Sequence, residues 1–451
     1  MPAAFSSPAP TNAEWKTATP SAHLPRGAWW EIFGDPELNR LESMAATNNQ
    51  QLAAAVANIE EARAQLGVSK AGYFPQLSLA PSATRQRTSA NAYGRSFSST
   101  YSSHSVPLDA SWELDLWGRV RRAVASSRAR MTATQDDLES LKISVQAEVA
   151  SDYFTLRSRE AQIQLLRETV VTYARSLKLT QDRRDSGIAS ELDVSQAETQ
   201  LRAAQAEIPA LELQRANVQN ALAVLCGKAA TSFAIFNSTN TPALPLIPAS
   251  VPSVVLEHRP DVAAAERRMA AANASVGVAH GAFYPTITLN GLAGFQSAGT
   301  SDLFNWESRL WSVGPSLSLP LFAGGKNRAQ LASAKAAYEG AVADYRQTVL
   351  NAFKDVENQL AAQRLLAQQF EAENAAMISA QRTLNISLER YKSGVVTYLE
   401  VATAQNNALS HEESVVQLNA SRLNAAVSLI KALGAGWQPF MNSSVPPASL
   451  Q

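Results

Sequence analysis

The chain has 451 residues, and its Lys+Arg 39 are balanced by Asp+Glu 39, a zero net charge that gives no electrostatic reason to bind nucleic acid. Aromatic residues make up only 7%, while Ala, Gln, Leu, Ser and Arg abound, which favours long helices meeting along narrow Ala-lined seams over one bulky core. A single cysteine, Cys226, excludes a disulfide within the chain, and no apolar run reaches the ~18 residues of a membrane-spanning helix.

Residues 1–35 read as an extended amino-terminal segment. Met1 to Leu24 is rich in Pro, Ala, Ser and Thr and lacks the basic and apolar regions of a signal peptide. That leaves a cytoplasmic protein or one whose signal has been removed, and the membrane features below favour removal. Residues 36–74 form a first short helix that stops at Tyr73-Phe74-Pro75.

Over 75–117 the period changes to two. Val106, Leu108, Ala110, Trp112, Leu114 and Leu116 alternate with Asp109, Ser111, Glu113 and Asp115, and Leu77, Leu79 and Ala83 supply a weaker partner strand across a loop from Ser89 to Ser105. The pattern fits an ordinary hairpin on a soluble core; it also fits transmembrane barrel strands, with Asp109, Glu113 and Asp115 facing a wet lumen.

Residues 118–227 read as a long coiled helical pair. The stretch from Arg119 to Arg184 contains no proline and as a helix would extend roughly 100 Å. Val149, Leu156, Ile163, Val170 and Leu177 mark one heptad track, and Val194, Ala197, Leu201, Ala204, Ile208, Leu211, Val218, Leu222 and Leu225 mark a second, interrupted by Arg215. Pro209 is expected to kink this helix. Cys226 reads as a small buried apolar residue rather than a redox group.

After a linker at 228–252 the order repeats: a helix at 253–284 ending in Phe283-Tyr284-Pro285, a second hairpin at 285–323, a second helical pair at 324–434 and a tail at 435–451. The second hairpin sets Trp311, Val313, Leu317, Leu319 and Leu321 against Ser312, Ser316 and Ser318, preceded by Ile287, Leu289, Gly291, Ala293 and Phe295. Asp185-Ser186-Gly187 and Lys392-Ser393-Gly394 lie 207 positions apart, as do Arg128 and Lys335, Asp137 and Asp344, Gly227 and Gly434, and the seam-breaking Arg215 and Arg422. Duplication explains this. Strands in a bilayer cannot leave edges unpaired, so two hairpins need further copies of the chain to close a barrel.

In the order given, Trp29-Trp30 with Phe33-Gly34-Asp35-Pro36, Trp112 to Arg119, Arg259-Pro260-Asp261 with Ala265-Glu266, and Phe283-Tyr284-Pro285 carry a resemblance. Leu319-Pro320-Leu321-Phe322 with Gly324-Gly325, Arg390 to Gly394, and Leu433 to Trp437 complete it. The chain resembles the outer-membrane factor family, TolC-like, in the lipoprotein branch serving resistance-nodulation-division multidrug efflux systems. The resemblance implies a mainly α fold with a β membrane domain: a homotrimeric 12-stranded β-barrel, four strands per protomer, continuous with a long periplasmic α-helical barrel in a Gram-negative outer membrane. It implies a passive exit duct serving a periplasmic adaptor and an inner-membrane transporter. The branch carries a lipidated cysteine at its mature amino terminus; Met1-Pro2-Ala3 does not supply it.

The resemblance places a gate at the tip turns Arg183–Asp193 and Arg390–Glu400. Tyr391 matches the tyrosine of a Tyr-Arg-Asp network and Glu400 a ring acid, or else a solvated helix-end acid; Val396 and Thr403 depart from the charged pattern, implying a gate closed partly by an apolar ring. Glu191 and Asp193 complete the expected gate. Arg183, Arg184, Ser186, Gly187, Arg390, Lys392, Ser393 and Gly394 are expected to dock the adaptor.

No metal or cofactor is expected. The five histidines, His23, His104, His258, His280 and His411, have no ligand spacing, and Ala323-Gly324-Gly325-Lys326 lacks the spacing of a phosphate loop. Pro260 and Asp261 suit the first turn of a helix. A protein-secretion duct and a periplasmic coiled-coil scaffold are the competing functional readings; nothing supports an enzyme.

Overall fold

The computed structural model describes residues 27–91, 97–235, 244–245 and 259–435. The Pro-rich start, most of the expected linker, His23, His258 and the closing Gly436-Trp437 lie outside them. Seven α-helices are described: α1 (Pro36–Asn48), α2 (Gln50–Ala71), α3 (Arg119–Asp185), α4 (Glu191–Leu225), α5 (Pro260–Gly281), α6 (Lys326–Lys392) and α7 (Tyr398–Ala432). Five strand segments accompany them: β1 (Gln76–Leu79), β2 (Ser82–Arg87), β3 (Thr100–Leu114), β4 (Thr286–Ser297) and β5 (Arg309–Ser318). No helix among the described residues is long and apolar enough to cross a membrane. The described residues divide into two compact units, one lying within 1–56, 136–263 and 348–451, the other within 57–135 and 264–347.

The second unit holds one antiparallel sheet in the order β1-β3-β4-β5, with β2 also on β3. Gln76 pairs with Ser111 and Ser82 with Ser105 in one unbroken register, so β1 and β2 are a single strand interrupted at Ala80-Pro81. Pro81 has no N–H to give the ladder, which accounts for the break. The sheet is therefore four strands wide.

Cross-strand register sorts its faces. Val106 opposes Phe295, Leu108 opposes Ala293, Ala110 opposes Gly291, Trp112 opposes Leu289 and Leu114 opposes Ile287. Trp311, Val313 and Leu317 continue the same apolar side on β5, and Leu77 and Leu79 on β1. The other side carries Asp109, Ser111 and Glu113, with Ser111 donating to Asn290 and Asn290 to Ser316. This segregation has the period that one lipid face and one wet face require.

The structure corrects three details of the strands. β3 starts at Thr100, so the expected Ser89–Ser105 loop is shorter than its serines suggest. Leu319 and Leu321 fall beyond β5, which stops ahead of Pro320. Leu116 and Asp115 fall beyond β3.

Gly294 deserves its place: a Cβ there would lie 2.3 Å from the Val106 carbonyl oxygen and 2.8 Å from Pro107 Cα, both backbone atoms that cannot give way. Gly294→Ala is expected to cost about 1–3 kcal/mol by overpacking. The readout is the heat resistance of the folded protein on unboiled gels, which should fall in the variant and not in Gly314→Ala, where nothing lies within 4 Å.

Below the sheet, within the same unit, α2, α3 and α5 meet through small residues. Ser126 donates to the Ala271 carbonyl at 2.9 Å, Ser69 and Ser127 share a 2.7 Å bond, and Gly277 lets Arg122 lie close. Trp117 stacks on Tyr284 and donates to the Pro285 carbonyl at 2.8 Å, and Trp112 donates to the Tyr73 carbonyl at 3.0 Å, so each aromatic-Pro stop is held by a tryptophan from β3 or its exit.

In the first unit the heptad seams are buried as the spacing predicts: Val194, Ala197, Leu201, Ala204, Leu211, Leu222 and Leu225 on α4, and Val401, Ala404, Ala408, Leu418, Ala425, Leu429 and Ala432 on α7. The two arginine interruptions are satisfied differently. Arg215 pairs with Glu160, which also holds Arg157 at 2.7 Å, whereas Arg422 lies over the Phe370 ring. α4 continues through Pro209 as one helix. Arg259 binds Asp261, Asp355 and the Ala432 carbonyl, tying the start of α5 to the last turn of α7. The segment Trp29–Phe33 docks on α3 by Phe33 against Phe154 and by Trp29 donating to Gln146. Cys226 is fully buried at the end of α4, and burial pushes its thiol up to about 11, which keeps it an unreactive packed thiol.

Candidate functional site at the helical tips

Both long pairs reverse through the same turn. Gly187 and Gly394 each adopt φ 76°, a left-handed conformation that glycine enters without strain. The next residue closes back on the helix, Ile188 N to the Arg183 carbonyl at 2.8 Å and Val395 N to the Arg390 carbonyl at 3.0 Å.

Behind these identical turns the two pairs diverge. In the first, Arg184 bridges to Glu191 at 3.1 Å and to Asp185 at 2.7 Å, all in solvent. In the second, the positions 207 residues later are Tyr391 and Tyr398, whose rings meet edge to face at 5.6 Å and are both buried. Together with Ala197, Val401 and Ala402 they form one cluster, against which Leu177, Leu179, Leu388 and Val396 pack.

A buried polar chain runs through that cluster. Tyr391 donates to Thr180, Thr180 to the Ser176 carbonyl, Gln405 to Ser176 Oγ and Tyr398 to Gln405. Burial pushes the Tyr398 phenol upward. Arg183 completes the link between pairs: its guanidinium lies 4.8 Å from the Tyr391 ring centroid and donates to the Lys392 carbonyl at 2.8 Å. A cation on α3 thus holds the end of α6.

Other expected gate residues have local partners. Glu400 pairs with Arg390 at 3.0 Å, and both are exposed. Asp193 forms a capping box with Ser190 at the start of α4, and Thr403 donates to the Leu399 carbonyl. Val396 is half-buried against the tyrosine cluster of its own protomer; the apolar side chains left exposed at the tips are Ile188, Leu192, Val395 and Leu399. These four are two pairs at the 207-residue offset, so both tips present the same apolar surface. Among the expected docking residues, Ser186 and Ser393 donate to their own helices and Lys392 pairs with Glu389.

Thr180, Ser176, Tyr398 and Gln405 escaped the motif reading. The readable signal was divergence between the halves: Tyr391 and Tyr398 stand where Arg184 and Glu191 do. At the sheet end, Asp115 accepts from the Val120 and Arg121 amides and pairs with Arg121, so it caps α3 rather than lining a strand. Glu113 pairs with Arg119, and Asp109 keeps its place on the polar face of β3.

The model of the outer membrane efflux protein family matches residues 41–228 and again 251–435, the two halves of the repeat. The chain is 33% identical over 445 residues to the solvent efflux pump outer membrane protein SrpC of Pseudomonas putida, covering 96% of this chain and 94% of that one. It is 36% identical over 412 residues to outer membrane protein OprJ of Pseudomonas aeruginosa, covering 91% and 86%. The solved structure of the outer-membrane channel OprN superposes with a TM-score of 0.87 at 30% identity over 93% of this chain and 95% of that chain.

Proposed function

We propose a passive exit duct as the role of this chain, which belongs to the outer membrane efflux protein family. It is an outer-membrane efflux protein of a Gram-negative bacterium, mainly helical with a β domain. The reading of its mechanism rests on one observation: a four-strand-wide sheet with an apolar face, a polar face and two edges, β1/β2 and β5, that pair with no further strand among the described residues. In lipid such edges must be satisfied, and three copies joined edge to edge give a twelve-stranded wall around a lumen lined by Asp109 and its polar neighbours.

Solute enters from the helical end and is held back at the tips. Closure rests on the Arg183–Tyr391 link within each copy and on the apolar tip residues meeting around the symmetry axis. A periplasmic adaptor packs helices on the repeated Ile188, Leu192, Val395 and Leu399 surface, and an inner-membrane transporter of the resistance-nodulation-division type supplies energy and cargo. The adaptor competes for the tips and releases the link.

Reconstitution into planar bilayers tests the duct. The expected result is discrete conductance steps with a preference for cations, reduced by Asp109→Asn on the polar face. Absence of steps from a folded, inserted protein contradicts it.

A further inference from the structure

Gln405 sits among the seam residues Val401, Ala404 and Ala408 of α7 and is 1% exposed. A primary amide in such a place costs free energy unless its donor and its acceptor both find partners. Both do. Its Nε2 donates to Ser176 Oγ at 3.1 Å, and its Oε1 accepts from the Tyr398 hydroxyl at 3.2 Å. Ser176 and Thr180 lie one turn apart on α3, both buried, with Thr180 donating to the Ser176 carbonyl at 2.9 Å. Tyr391 reaches Thr180 from α6 at 3.3 Å. One face of α3 thus offers two hydroxyls, and each helix of the second pair brings one group to them.

The other half of the repeat carries different chemistry at these positions. Subtracting 207 from Tyr391, Tyr398 and Gln405 gives Arg184, Glu191 and Glu198, three charged residues in surface ion pairs. A surface pair tolerates sliding of its helices, since water replaces what is lost. A buried amide does not. Moving α7 along α3 by one residue is a shift of about 1.5 Å, enough to break the Ser176 bond and leave polar groups stranded among apolar ones. Small seam residues such as Ala404 and Ala408 leave the slide open, and a single buried amide is the device that fixes register in coiled helices.

We infer that Gln405 is a positioning residue of the gate: its amide, bonded to Ser176, sets the one register of α7 on α3 in which Tyr391 meets Thr180 and Arg183. It acts through the tyrosines and touches no solute. The inference rests on the duct reading for what the tips hold back. Opening the second pair breaks the Gln405–Ser176 and Tyr391–Thr180 bonds together, which makes the closed state a single defined arrangement.

The test is planar-bilayer conductance of wild type, Gln405→Met and Gln405→Glu at pH 5 and pH 8, beside heat resistance of the assembly on unboiled gels. Gln405→Met keeps the side-chain length and strands the Ser176 and Tyr398 hydroxyls, so its open-to-closed ratio should rise about tenfold at both pH values. In Gln405→Glu the protonated carboxyl donates and accepts as the amide does, and the gate closes. The closed cluster favours that neutral form and an open, wetted one the ionised form, so raising the pH pulls the gate open. This variant should match wild type at pH 5 and be about tenfold more open at pH 8. The ionisable groups around it are Tyr173 on α3, Tyr391 and Tyr398, with the Arg183 guanidinium over Tyr391; α4 brings the uncharged Ala197. Burial pushes the Tyr173 phenol up to about 12, and wild type at both pH values carries every native titration. A Gln405→Met channel that gates like wild type overturns the inference, as does a Gln405→Glu channel with the wild-type pH dependence. Equal loss of heat resistance in both variants assigns Gln405 to folding and overturns it too. Wild-type steps with variants that gate identically overturn this inference alone; a wild type without steps removes the duct reading as well.

Discussion

Tyr391→Ala is expected to release the tip of the second helical pair and raise single-channel conductance severalfold. Tyr391 is 3% exposed and central to its cluster, and truncating a buried aromatic costs about 3–5 kcal/mol through lost transfer energy and the cavity left behind. The same change removes the ring beneath Arg183 and the hydroxyl on Thr180, so two contacts that join α3 to α6 go together. Arg183→Ala should open the channel less, since it leaves the aromatic pair in place. Arg184→Ala, which disturbs only the exposed pair with Glu191 and Asp185, should leave conductance near wild type, because exposed ion pairs contribute little. Equal conductance in all three variants would remove the second pair from the gate.

Glu42→Gln is expected to leave stability near wild type at pH 5 and raise it by several kcal/mol at pH 8. Glu42 is 0% exposed, and among the described residues neither carboxylate oxygen has a hydrogen-bond partner. Desolvation raises its pKa from 4.5 to about 9. Below pH 4.5 the folded and unfolded states both hold the proton, and the group costs nothing. Between 4.5 and 9 the unfolded chain gives the proton up while the folded chain keeps it, so stability falls by about 1.4 kcal/mol per pH unit. The neighbouring ionisable groups are the Cys226 thiol at the end of α4, and Arg40 and Glu37 on α1. Burial keeps Cys226 protonated across that window, so the slope belongs to Glu42. Thermal denaturation in detergent at pH 5 and pH 8 checks it: the variant's advantage should grow with pH, and a constant offset contradicts the assignment.

The period change at Val106 and the seams from Val194 and Val401 were readable because each is a one-dimensional consequence of burial: every second side chain meets lipid, every third or fourth meets a helix. The 207-residue repeat made the two halves check each other. What stayed hidden depends on a third dimension or on a single atom. Asp115 continues the alternation of β3 in sequence, yet its carboxylate accepts from the free amides at the start of α3. The Ser-rich run from Thr100 to Ser105 reads as loop by composition and is strand by pairing with β2. The tip cluster gathers Thr180, Tyr391 and Gln405 from three helices, which no spacing can announce. Glu42 was legible in principle: with Leu38, Leu41 and Ala45 it completes the buried stripe of α1, a carboxylate where the pattern calls for an aliphatic side chain.

Closure of the sheet by sister copies carries the whole functional account, and the mass of the detergent-solubilised protein tests it most directly. Light scattering corrected for bound detergent should give three protomer masses, and electron microscopy of the same peak should show a central pore. A well-folded species of one protomer mass, its β1/β2 and β5 edges left unpaired, would contradict the account.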